Sequence, residues 1–248
     1  MLNGDAEMLD IPAMLKINLD RVREKIQLAL QTSPDPRRVV TLVAVSKKQP
    51  LERIRALAEL GQVHFGENYV QEGLEKIKSI EITELKWHFI GKLQSNKAKY
   101  IPGQFCLVHS MDSLKLARAL QKKASSLNIV QPVLIQVNAA GEAQKSGLDP
   151  GDLAGFVREV SGMEHLDVQG LMLMPPMVED SEKSRPYFAQ LREMRDSTEK
   201  KTGISLPHLS MGMSQDYVQA VEEGATLVRV GSLLLGPRPG CAVNFAGR

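Results

Sequence analysis

Short apolar runs rich in β-branched residues alternate along this chain with longer stretches whose apolar positions recur every three or four residues. The strand-like runs cover residues 39–47, 63–68, 86–91, 106–112, 133–138, 166–174, 208–213 and 226–231. Several are apolar on both parities, the pattern of parallel strands covered on both faces. Between them, residues 50–60 place Leu51, Ile54, Leu57 and Ala58 on one helical face and stop at Gly61. Residues 113–124 repeat Leu114, Ala117, Leu120 and Ala124, and residues 185–200 repeat Tyr187, Leu191, Met194 and Thr198. Residues 215–223 form a further helical stretch ending at Gly224, and an amphipathic segment, 11–30, precedes the first strand. No Gly/Ser linker or low-complexity tract interrupts the series, so the chain reads as one domain over 1–248 with its core at about 39–236. Eight alternations predict an α/β fold, a (β/α)8 barrel with an additional N-terminal helix. An open eight-stranded sheet fits the same periodicity. In a barrel, the residues to examine lie where strands end and helices begin.

Composition narrows the function classes. The 248 residues carry Lys+Arg 31 against Asp+Glu 29, a charge of +2, too balanced for electrostatics to imply nucleic acid or an anionic membrane. Aromatic residues, at 4%, are too sparse for a single-strand stacking platform. Cys106 and Cys241 match no zinc or disulfide spacing, which fits a reducing compartment. The opening MLNGDAEMLD is acidic where a leader is basic, and no apolar run reaches the ~18 residues of a membrane span. A cytoplasmic protein is expected. The histidines show no metal-ligand spacing, and GxSxG, P-loop and GxGxxG patterns are missing.

The polar residues at the strand ends are more specific. Lys47 closes the first strand, where partial desolvation lowers an amine's pKa and favours Schiff-base chemistry; a surface lysine opening a loop is the plainer account. Lys48 follows it, and strand parity alone leaves open which of the two faces the barrel mouth. Ser214, after the seventh strand, offers a hydroxyl and a helix cap. Gly231 and Ser232, after the eighth, offer backbone N–H groups to phosphate oxygens. Phosphate sites are common after barrel strands seven and eight. Asn68 ends the second strand and suits either a ring substituent or a cap. His88 sits within the third strand, where it serves to polarise a ligand or simply as a satisfied core residue. Met172, Met174, Met211 and Met213 read as barrel filling. The basic stretch 91–99 reads as a solvated helix face.

Together VAVSK (43–47), FGENYVQE (65–72), WHFIGKLQSNK (87–97), LSMGMSQD (209–216) and VRVGSLLLG (228–236) resemble the pyridoxal phosphate homeostasis proteins, also called proline synthetase co-transcribed homologues. KSGL (145–148) and GLMLMPP (170–176) fall in the same order. The resemblance implies the alanine racemase N-terminal fold, a modified (β/α)8 barrel of fold type III holding pyridoxal 5′-phosphate (PLP). It implies that Lys47 carries the cofactor as a Schiff base and that Ser214, Gly231 and Ser232 bind the phosphate. Arg229 matches the arginine facing the pyridine nitrogen, Asn68 a position beside the ring, and His88 a neighbouring strand. Leu235 stands where the family often has phenylalanine.

An arginine there disfavours protonation of the pyridine nitrogen and so weakens the ring as an electron sink. Only 17 residues follow Gly231, too few for the second domain of a racemase. The expected function is therefore to hold PLP and supply it to PLP-dependent apoenzymes, influencing amino-acid and keto-acid pools, without a catalytic reaction and as a monomer. A racemase-like enzyme is the main alternative, and a phosphosugar-binding barrel the third.

Overall fold

The computed structural model describes residues 10–139, 146–176 and 178–238. Cys241, Lys145 of the KSGL motif and the acidic opening nine residues lie outside that set. Eight strands pair in sequence order: β1 (Thr41–Val45), β2 (His64–Glu67), β3 (Lys86–Phe89), β4 (Leu107–Met111), β5 (Gln131–Gln136), β6 (Leu166–Met172), β7 (His208–Met213) and β8 (Leu227–Val230). Every pairing is parallel. The sheet closes because β8 returns to β1, in register from Thr41↔Leu227 to Ala44↔Val230. That pairing eliminates the open sheet.

Around the barrel stand α1 (Ile11–Gln31), α2 (Leu51–Glu59), α3 (Val70–Ser79), α4 (Leu114–Ser126), α5 (Leu153–Ser161), α6 (Arg185–Thr202), α7 (Tyr217–Glu222) and α8 (Ser232–Leu235). The eighth helix is a single turn, too short to cover its part of the sheet. The additional N-terminal helix fills the gap: α1 buries Leu15, Leu19, Val22 and Ile26 and packs against α2, α7 and α8. Between β3 and β4 a turn and a three-residue 3-10 segment, Ala98–Tyr100, replace a helix. The basic stretch 91–99 is thus no helix face; Lys97 and Lys99 lie over the Tyr100 ring, at 5.9 and 5.0 Å from its centroid.

Strand parity divides the apolar residues into two cores. Leu42, Ala44, Phe65 and Val228 pack outward under the helices. Val43, Leu107, Leu134, Met172 and Leu227 pack together inside the barrel. Of the four methionines read as filling, Met172 alone belongs to that interior cluster. Met211 is in the outer core, and Met174 and Met213 are exposed at the strand ends.

Candidate functional site

Lys47 lies just beyond β1, on the parity of interior Val43. Its surroundings are pinned from outside the barrel. The Ser46 hydroxyl donates to Glu67 Oε1 at 2.6 Å. Lys76, buried on α3, donates to the Ser46 carbonyl at 2.6 Å, to Glu67 Oε1 at 2.8 Å and to Glu72 Oε1 at 2.7 Å. A turn closes with Gln49 N–H donating to the Ser46 carbonyl at 3.0 Å. Within it Lys48 takes a left-handed φ of 56°, rare for lysine, with its N–H held by Glu72 and its side chain exposed. Lys47 itself is half-buried. Burial lowers its amine pKa, and Arg238 adds to this; Glu67 opposes it, Lys48 lowers it further and Glu72 raises it. Ser46, Glu67, Glu72 and Lys76 escaped the sequence reading. The available signal was the i,i+4 spacing of Glu72 and Lys76 on the helix after the FGEN segment.

The far end of the chain meets this corner directly. A Cβ placed on Gly231 comes within 3.4 Å of Val45 Cβ, so the β8 turn lies beside the end of β1. The Gly231 N–H donates to Ser214 Oγ at 3.2 Å, tying the turn after β8 to that after β7. Ser214 therefore does not cap α7. Asp216 shapes that turn instead, accepting from Met213 N–H at 2.7 Å. Ser232 is exposed at the start of α8. Gln136, Met174, Met213, Ser214 and Ser232 line an adjoining cavity of about 490 Å³.

Arg229 points inward from β8 and is buried. Its Nη1 donates to Ser210 Oγ at 2.5 Å and its Nη2 to the Leu173 carbonyl at 3.0 Å. Burial lowers its pKa to about 10, against an opposing pull from Asp216, so it stays charged at neutral pH. Asn68 follows β2, and its backbone depends on Gly91: a Cβ at Gly91 would meet Asn68 O at 2.2 Å. His88 is placed differently from the others. It lies buried inside the barrel with both ring nitrogens bonded to His64 and His109, each at 2.9 Å.

The mouth thus gathers Lys47, Arg229, Ser214, Gly231 and Ser232 at the ends of three adjacent strands, with Asn68 at the end of the next. The set is cationic and rich in donors, while Glu67 and Glu72 are engaged by Lys76. It suits a ligand with an anionic group and a carbonyl open to attack by a half-buried amine.

The family model for the alanine racemase N-terminal domain matches residues 17–239. The pyridoxal phosphate homeostasis protein of Aquifex aeolicus is 46% identical over 220 residues, covering 89% of this chain and 96% of that protein. The chain belongs to the pyridoxal phosphate homeostasis protein family. The solved structure of PipY from Synechococcus elongatus, with PLP bound, superimposes with a TM-score of 0.79 at 36% identity. That match covers 90% of this chain and all of the PipY chain. An alanine racemase from Clostridium difficile shares the fold, with a TM-score of 0.71 at 17% identity over 91% of this chain and 57% of that one.

Proposed function

We propose that this protein binds PLP reversibly at Lys47, holds it, and supplies it to apoenzymes, without a catalytic reaction of its own. When bound, PLP supplies an aldehyde that a lysine amine bonds reversibly. Lys47, its pKa lowered by burial, provides that amine. Ser214, with the N–H groups of Gly231 and Ser232, holds the phosphate. Arg229 would serve the pyridine nitrogen's side of the site, where its charge would disfavour a proton on that atom. Asn68 flanks the ring. The observation that carries this reading is the junction of β1 with β8, which sets a half-buried amine beside donor-rich turns and a buried guanidinium. The names of the relatives, and the PLP in PipY, support the same conclusion. No helix among the described residues is long and apolar enough to cross a membrane, and we place the protein in the cytoplasm.

The test is direct. Purified protein incubated with PLP should develop a visible absorption band, and borohydride should fix the cofactor to Lys47 in peptide maps. Lys47→Ala should lose the band, whereas Lys48→Ala, altered only at an exposed side chain, should keep it. Protein that stays colourless, or label found chiefly on Lys48, overturns the reading.

A further inference from the structure

Three histidines stand in line inside the barrel, outside the proposed binding chemistry. His64 Nδ1 on β2 lies 2.9 Å from His88 Nε2 on β3, and His88 Nδ1 lies 2.9 Å from His109 Nε2 on β4. His109 Nδ1 lies 2.8 Å from Ser210 Oγ on β7, which also receives Nη1 of Arg229 on β8. At its other end the line reaches a cavity of about 540 Å³ at the strand beginnings, where His64 is joined by Arg23, Gln62 and Lys86. The line therefore crosses the barrel from its lower face to the guanidinium under the mouth.

The donors and acceptors fix a direction. Arginine only donates, so Ser210 accepts from Arg229 and keeps one hydrogen to give. Its bonded acceptor is His109 Nδ1. His109 must then carry its proton on Nε2 and give it to His88 Nδ1; His88 repeats the pattern towards His64. His64 is left with an N–H at Nε2, on the residue that lines the lower cavity. Among the described residues Arg229 is bonded to no carboxylate, and Ser210 links it to the aligned imidazoles. Among the described residues, the other charged or titratable groups bearing on the line are Lys86, His208, Asp216 acting on Arg229 and, beyond His208, Asp167.

We propose that His64, His88, His109 and Ser210 form a one-way hydrogen-bond relay, ordered by Arg229, in which Ser210 and His109 are positioning residues that hold the guanidinium at the mouth. Its bearing on PLP rests on the proposed function; the relay itself does not. Histidine-directed ¹⁵N spectra of the cofactor-free protein at neutral pH should show His64, His88 and His109 all as neutral Nε2–H tautomers. Ser210→Ala should disturb the His109 and His88 signals, and Ser210→Thr, which keeps the hydroxyl, should restore them. With PLP present, Ser210→Ala should raise Kd about ten-fold, the effect of losing one hydrogen bond to a charged group. A wild-type Nδ1–H tautomer or charged ring at any of the three overturns the relay, as do unchanged histidine signals in Ser210→Ala. An unchanged Kd overturns the positioning role. Wild-type protein that shows the tautomer order but fails to bind PLP overturns the proposed function and leaves the relay standing.

Discussion

Truncating Ser214 to alanine removes the acceptor of the Gly231 N–H and one hydroxyl from the mouth, while leaving Lys47 and the backbone donors in place. A hydrogen bond to a charged group contributes about 1.5–3 kcal/mol, so PLP affinity should fall roughly ten- to a hundred-fold with the visible band retained. Equal affinity in equilibrium titrations would assign Ser214 to linking the two turns and nothing more. Lys76 offers a different test. Lys76→Met leaves Glu67 buried without its cation, and breaking such a pair costs about 3–5 kcal/mol. Urea denaturation should register that loss, and an unchanged midpoint would show that Glu67 is already neutral. Burial does push the Glu67 carboxyl pKa up, against the pull of Lys76 and Ser46.

Gly91 shows how one element positions another. Its missing side chain lets the turn after β3 touch the Asn68 backbone, so Gly91→Ala should displace Asn68. PLP binding should weaken while the far-ultraviolet spectrum keeps its wild-type form; unchanged affinity would place Asn68 outside the ring's contacts. All eight strands were legible in the sequence, because parallel strands covered on both faces read as apolar runs whatever their register. α3, α5, the one-turn α8 and the 3-10 segment before β4 were not, and the last two are too short to show a period. Likewise Lys47 and the β7–β8 turns stood out by their place at strand ends, whereas Arg229 was marked only by the family resemblance. The lysine–glutamate anchor behind β1 and the histidine line did not: each joins residues from separate segments that only strand pairing brings side by side, and the line's last step, from β4 to β7, needs the closed barrel. His64, His88 and His109 lie more than 20 residues apart in sequence and share no spacing that marks a site.

For the whole molecule, the buried histidines set a pH dependence. Burial holds His88 down at about 3 and His109 well below the ordinary histidine value, whereas in the unfolded chain both titrate near 6.5. Below that pH the unfolded state binds more protons, so stability falls as pH drops from about 6.5 towards 3, and these groups add no slope above it. His88 contributes about 1.4 kcal/mol per pH unit in that window, or roughly 2 kcal/mol between pH 7 and pH 5, and His109 acts in the same direction. Denaturant melts at the two pH values should show the loss, and equal stability would mean that the histidines are already charged in the fold.

The place of α1 in the helix ring has a consequence during synthesis. Its stripe of Leu15, Leu19, Val22 and Ile26 is made early, yet α7 and α8, two of the three helices it packs against, are among the last segments translated. At about 5–20 residues per second, the stripe waits roughly 10–40 s on the ribosome for those partners. Through that interval its apolar stripe lacks those two partners, the kind of surface that nascent-chain chaperones shield.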